Sequence, residues 1–344
     1  MKTIRSRGKL PVREMAAVAL LCLSCARPLR HEKHQFFRMD MPVTVTIVTD
    51  QPGRALGSLW KSADSLLRDW EVRYSQSNPR SEVRAINQRA VPCVAVDARL
   101  GTMIAAALAY GDTTGGMFDC TILPVKELWG LGETDTGTTH AVPSDSALAA
   151  AVERVNYRRI MVNAARDTLC FTSRATQVDA GGIAKGFALM ELGSLLVHHG
   201  IHDFLINASD IIARGHRKDG LAWRIGIQDP RYPEKQLFAV PLDSGAIFTS
   251  GDYERFWIAP DGRRIHHIFN PKTGFSCTGN QSVTLWSMDP LQAKFLSTGL
   301  YCLPADSILA FAAHRGLECC VVDSTGKPHI TAGWRTRGIP VPAL

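Results

Sequence analysis

The sequence predicts an α+β fold of interleaved antiparallel sheets and helices, and three observations carry that prediction. Segments with helical spacing are interspersed with β-branched segments of period two, without the strand–helix–strand regularity of a doubly wound sheet. No internal repeat and no long linker interrupts the body of the chain. Its 344 residues, less a leader, suit one large domain or two intimately packed ones.

The body opens on MPVTVTIV, residues 41–48, an alternating run that reads as a strand. Residues 55–74 then place Leu56, Leu59, Trp60, Ala63, Leu66, Leu67 and Trp70 on one helical stripe. Polar YSQSNPRSEVRAIN reads as a loop entering a short helix. Residues 100–109 form another apolar helix, ended by the glycine turn of GDTTGGMFDC. Residues 145–156 are helical and lead into a hairpin, RRIMVN and TLCFT. In the second half, residues 186–198 form a helix, followed by the strands DFLIN, WRIGI, FAVPLD, GAIFTS and ERFWIA. HHIFNP follows a DGRR turn, SVTLWS is a strand, and residues 291–302 and 307–315 are helices. CCVVD and a short HITAGW segment finish the chain.

The amino end is different in kind. Lys2, Arg5, Arg7, Lys9 and Arg13 precede the apolar run AAVALLCL and the small-residue stop Ser24-Cys25. A basic head, a short apolar core and a small residue read as a secretory signal, since a bilayer-crossing helix needs about 20 apolar residues. LCLSC resembles the box at which bacterial lipoproteins are lipidated, with Cys25 as the first mature residue. The expected organisation is a signal peptide at 1–24, a tether at 25–36 and one domain at 37–344. Such a protein is exported and lipid-anchored to the cell membrane, facing the periplasm. Removing the leader takes away five positive charges and one negative, so the formal net charge falls from +7 to +3. Without an arginine-rich arm or a basic helix, no nucleic-acid partner is expected. Seven cysteines lie beyond Cys25, with neither a CxxC pair nor zinc-like spacing, and they read mostly as small core residues.

Three clusters carry chemistry. In VDAGGIAKG, Asp179 and the Gly181-Gly182 pair precede a helix, with Lys185 expected in its first turn. Such a turn exposes backbone amides to a diphosphate, although a tight helix-capping turn explains the bare pattern equally well. It matches neither the P-loop nor the Rossmann fingerprint. SGDYERFW and HHIFNPKTG bring Ser250, Asp252, Glu254, His266 and His267 into two turns. Adjacent histidines on a strand face opposite ways, so one alone would serve as an acid or base. In QAKFLSTGLYCL, Lys294 and Thr298 share a helix face.

Taken together and in order, these segments resemble the FAD:protein FMN transferases, the ApbE family. The resemblance runs from about Phe37 to Val322 and includes YSQSNPRSEVRAIN and GGMFDCTILPVKELWG. It implies an ApbE-like flavin transferase fold and cleavage of FAD across its diphosphate. The FMN half then passes to a threonine or serine hydroxyl of an exported or membrane acceptor protein, with release of AMP. It also implies an FAD site of Met39, Tyr74, Ser75, Phe118, Asp119, Asp179, Lys185 and Ile268, with His267 activating the acceptor. Magnesium is implied too, bound by the Gly182 carbonyl and the Thr298 side chain.

The sequence departs from that pattern in three places. Asp40 and Met41 replace a glycine-threonine pair after Met39, and Ala208 and Ser209 replace two glycines before Asp210. Lys294 stands where an aspartate should bind magnesium. A protonated lysine repels a cation, but it brings a positive charge of its own. Asp289 and Asp210 are the carboxylates that sequence offers as substitutes. An FAD-binding or FAD-hydrolysing relative with impaired transfer, and a non-catalytic exported scaffold, remain alternatives at this point.

Overall fold

The computed structural model describes residues 28–132 and 140–336; the 1–24 leader and Cys25 lie outside the described residues. The first hairpin pairs β1 (Arg30–Arg38) with β2 (Met41–Thr49) through a two-residue turn, Met39 and Asp40. Both turn residues have positive φ, 54° and 60°, the geometry that matches the twist of a tight hairpin. Residues 30–36, expected in a tether, are therefore sheet. They form an edge strand whose His31, Lys33 and Gln35 face solvent, which discourages pairing with another chain.

Helix α1 (Gly53–Tyr74) buries Leu56, Leu59, Ala63, Leu67 and Trp70 of the expected stripe, while Trp60 and Leu66 are partly buried. α2 (Glu82–Asn87) starts where the Ser81 side chain accepts the Arg84 N–H, and α3 (Ala98–Thr113) where Asp97 accepts that of Arg99. A small sheet of β3 (Cys93–Ala95), β4 (Ile160–Val162) and β5 (Thr168–Phe171) has the order β3-β5-β4. α4 (Leu123–Leu128) and α5 (Asp145–Glu153) pack together.

α6 (Gly181–His198) begins five residues earlier than its periodicity suggests, so Gly181 and Gly182 belong to its first turn. β6 (Asp203–Ala208) and β7 (Asp210–Arg214) follow, joined at Ser209 with φ 64°. β8 (Trp223–Gln228) and β9 (Gln236–Leu242) form a separate hairpin. β10 (Ser244–Gly251) returns to the main sheet, whereas β11 (Phe256–Ile258) and β12 (Arg264–His266) form another hairpin. β13 (Asn280–Ser287), β14 (Glu318–Asp323) and β15 (Pro328–Ile330) complete an eight-stranded antiparallel sheet ordered β1-β2-β6-β7-β10-β13-β14-β15. α7 (Pro290–Gly299) crosses β10 and β13 and touches α6. α8 (Ala305–His314) and α9 (Ala332–Thr336) pack on β14.

Both faces of the central sheet are covered. On β7, Ile212 faces the main core with α1, α3 and α6, while Ile211 and Ala213 face a second core with the β8–β9 hairpin. A third core gathers Leu296, Leu300, Tyr301 and Ile308 around α7 and α8.

Four cysteines are not simple core residues. Cys93–Cys170 joins directly paired residues of β3 and β5, and Cys277–Cys302 ties the segment before β13 to the end of α7. Cys120, Cys319 and Cys320 are buried free thiols, as the sequence suggests for the whole set.

Candidate active site

The site is built outward from the N-terminus of α6. Asn87, the last residue of α2, holds Val178 at both backbone atoms: its Oδ1 accepts the Val178 N–H at 2.7 Å and its Nδ2 donates to the carbonyl at 2.8 Å. The Gln76 side-chain amide donates to the same carbonyl. This grip sets Asp179, whose N–H donates to the Cys120 carbonyl at 2.7 Å. Lys126 Nζ donates to Asp179 Oδ2 at 2.6 Å, both side chains being only 11% exposed, and Asp179 Oδ1 is buried without a hydrogen-bond partner. An ammonium paired this tightly in a dry setting fixes geometry more than it adds stability.

Immediately afterwards α6 starts without a side-chain cap. A Cβ on Gly182 would meet nothing within 4 Å, so this turn borders open space. Uncapped helix N–H groups and the positive end of the helix dipole together favour an anion. Lys185 lies in the second turn of the helix and acts electrostatically on Asp210 and Glu254.

The two histidines differ in the partners of their rings. His266 is buried, its Nε2 donates to the Cys277 carbonyl at 2.7 Å, and its Nδ1 accepts the Ile268 N–H at 3.3 Å. Both ring nitrogens are thus consumed by structure. His267 follows the end of β12 and is half-buried. Its Nδ1 lies 3.4 Å from the Arg255 carbonyl, which can only accept, so Nδ1 carries the proton. Removal from water, followed by the positive charges of Lys126 and Arg255, holds the imidazole well below its ordinary pKa of 6.5. A neutral ring with Nδ1 protonated leaves Nε2 as the base. The loop behind it is anchored at Gly274 (φ 73°), where a Cβ would meet Leu148 at 2.6 Å and whose carbonyl accepts Trp129 Nε1–H at 2.8 Å.

The third part lies where α7 meets β7 and β10. Lys294 Nζ sits 3.3 Å from Asp210 Oδ2 and 5.3 Å from the centre of the Phe248 ring. Its stem passes over Gly186, where a Cβ would stand 3.2 Å from Lys294 Cγ. One turn on, Thr298 Oγ1 is 3.0 Å from Ser250 Oγ, which also bonds Ser297 Oγ at 3.2 Å. Burial raises the pKa of Asp210 while Lys294 opposes the rise; burial and then Asp210 raise that of Glu254. These residues do not fit a divalent ion. An ammonium already pairs with the nearest carboxylate, and among the described residues no group of three or more His, Cys, Asp or Glu could hold a metal. Asp289 offers no substitute: it is exposed and caps α7 by accepting the Leu291 N–H at 2.9 Å.

Of the other expected site residues, several turn inward. Tyr74 is fully buried and donates to Asp97 Oδ1 at 3.0 Å, so of the 74–75 pair only half-buried Ser75 offers a side chain to a ligand. Asp119 spends its carboxylate on the Thr121 hydroxyl and N–H and on the Tyr157 N–H. Ile268 joins the third core, and its carbonyl accepts the Cys277 N–H. Met39 is buried in the main core, with its N–H donating to Glu71 Oε1 at 2.7 Å. Phe118 packs edge-on against Phe295 of α7, beside the Lys294 turn. Lys126 is the residue that sequence reading passed over; its one clue is a lysine beside Glu127 in the short, mainly apolar helix LPVKEL. A cavity of about 1130 Å³ is lined by Asp252, His266, Cys277, Asn280 and Asp323 among others, and contains none of the residues expected to bind FAD or metal or to act as the base.

An uncapped helix terminus, a neutral histidine and a set of buried lysine–carboxylate pairs are the parts of an enzyme acting on a phosphorylated substrate. The chain belongs to the ApbE family, whose model matches residues 39–321. It is 29% identical to the FAD:protein FMN transferase of Treponema pallidum, covering 75% of each chain. To the enzyme of that name from Vibrio cholerae it is also 29% identical, over 90% of this chain and 92% of the relative. Its fold superposes on the ApbE protein of Thermotoga maritima with a TM-score of 0.82 at 25% identity, covering 90% of this chain and 99% of that one. The apo flavinyl transferase ApbE of Pseudomonas stutzeri gives 0.79 at 27% identity, covering 92% and 98%.

Proposed function

We propose that this chain transfers the FMN moiety of FAD to a threonine or serine hydroxyl of an acceptor protein, releasing AMP. The observation that carries the reading is His267, a neutral base with its Nε2 free of the Arg255 carbonyl, in a family of flavin transferases. In the reaction, the acceptor oxygen attacks the phosphorus on the FMN side of the diphosphate while its proton passes to His267 Nε2. A new phosphoester P–O bond forms, the bond to the bridging oxygen breaks, and AMP leaves with that oxygen. The uncapped start of α6 and Lys185 receive the diphosphate, and Asp179, held by Lys126, fixes the turn that presents those N–H groups. Ser75 and Phe118 are assigned to the remaining contacts with FAD, and Gly182 gives the ligand room at the helix start.

His267→Gln tests this role. Transfer should fall by about 10²–10⁴-fold, the usual worth of a general base, while FAD affinity stays within a few-fold. Equal loss of binding and transfer would instead make His267 a ligand contact.

The acceptor belongs outside the cytoplasm on this reading. The basic, apolar leader and Cys25 support export and a lipid anchor facing the periplasm. The two disulfides support an oxidising compartment. Cys25→Ser should release the protein from the detergent phase; unchanged partitioning would remove the anchor.

A further inference from the structure

Lys294 and Asp210 pair where α7 meets β7, and Lys185 and Glu254 are near enough for their charges to act on the same place. With both carboxylates ionised the four charges cancel, two ammonium groups against two carboxylates. Adding a divalent ion would leave an excess of two positive charges. An aspartate at 294 would instead leave the set two charges negative, which such an ion balances. The side chain is also built into its place. Gly186 leaves the room that the Lys294 stem fills, Phe248 lies under the ammonium, and Asp210 holds it at 3.3 Å, with both members of the pair less than 20% exposed. An ammonium carries three donors, and Asp210 occupies one.

We propose that the Lys294 ammonium, held by Asp210, is the resident cation of this site and receives the FAD diphosphate in place of a divalent metal ion. The inference rests on the FAD reading above and concerns what neutralises the diphosphate. A tethered ammonium places its charge without a coordination shell, so binding needs no metal, although it orders the phosphoryl oxygens less strictly than a multiply coordinated ion does. Asp210 is a positioning residue here, because it acts through Lys294.

The test is a titration of FAD into the full mature protein, with chelator and with magnesium, for the wild type, Lys294→Met, Lys294→Arg and Lys294→Asp. Circular dichroism checks that each variant is folded, and Lys294→Met keeps the stem on Gly186 while removing the charge. Wild-type affinity should change less than about twofold with magnesium. In chelator, Lys294→Met should lose at least tenfold and Lys294→Arg should keep most of the affinity. Lys294→Asp should bind weakly in chelator and recover at least tenfold with magnesium. A tenfold gain for the wild type on adding magnesium would overturn the inference and leave the FAD reading intact, as would undiminished binding by Lys294→Met in chelator. Failure of the wild type to bind FAD under either condition would overturn both.

Discussion

His266 and His267 are neighbours in the chain and opposites in task, and the difference lies in the partners of their ring nitrogens. His266 spends both on backbone, whereas His267 keeps Nε2 available because Nδ1 is committed to Arg255. The groups acting on His267 set the sign of its pH dependence: burial, Lys126, Arg255 and His266 all disfavour the protonated ring. The base form is therefore complete at neutral pH and is lost only as pH falls through a value below 6.5. The acidic limb of the kcat/KM profile for transfer should show an apparent pKa below 6.5, and Lys126→Met should move it upward by removing a repelling charge. A limb above pH 7 would exclude His267 as the base. The family pattern marked His267, Asp119 and Tyr74 as site positions in the sequence. The inward orientation of Asp119 and Tyr74 was not legible, because a motif gives a residue's place along the chain and not the partner its side chain finds.

Among the elements, those with strong periodicity, such as α1, could be read directly, and those shaped by tertiary contact could not. β1 was hidden because an edge strand with polar exposed positions resembles a tether. The first turn of α6 was hidden because paired glycines read as a breaker, yet Gly181 is buried and Gly186 is needed where Lys294 crosses. The disulfides depend on register between distant strands, which cysteine spacing does not encode. Cys277–Cys302 links the segment following His267 to α7, which carries Lys294 and Thr298, across a sequence separation of 25. Closing a loop of that size stabilises a fold by about 3.5 kcal/mol in the chain-entropy picture. The Cys277→Ser/Cys302→Ser pair should lower urea stability by about that amount, and a reductant should lower wild-type stability by more, because it opens Cys93–Cys170 as well. Thiol counting on the unfolded, unreduced chain should find, among the described residues, Cys120, Cys319 and Cys320 free; additional reactive thiols from Cys277 and Cys302 would contradict the bridge.

For the molecule as a whole, one sheet covered on both faces supplies the frame, and the helix termini around it supply the charges. α6 brings an uncapped N-terminus, α7 brings an ammonium instead of a carboxylate, and the β11–β12 hairpin leads to a neutral base. Those three parts suit moving a phosphoryl group between oxygen atoms, and the nature of the receiving oxygen separates a transferase from a hydrolase. The direct measurement is AMP release from FAD by the wild-type protein, made with an acceptor domain and with the same domain carrying valine at its target threonine. The account predicts AMP release that depends on the threonine-bearing acceptor, with one flavin bound covalently to it per AMP formed. AMP and free FMN appearing at the same rate with either acceptor, and no flavin on the protein, would contradict it.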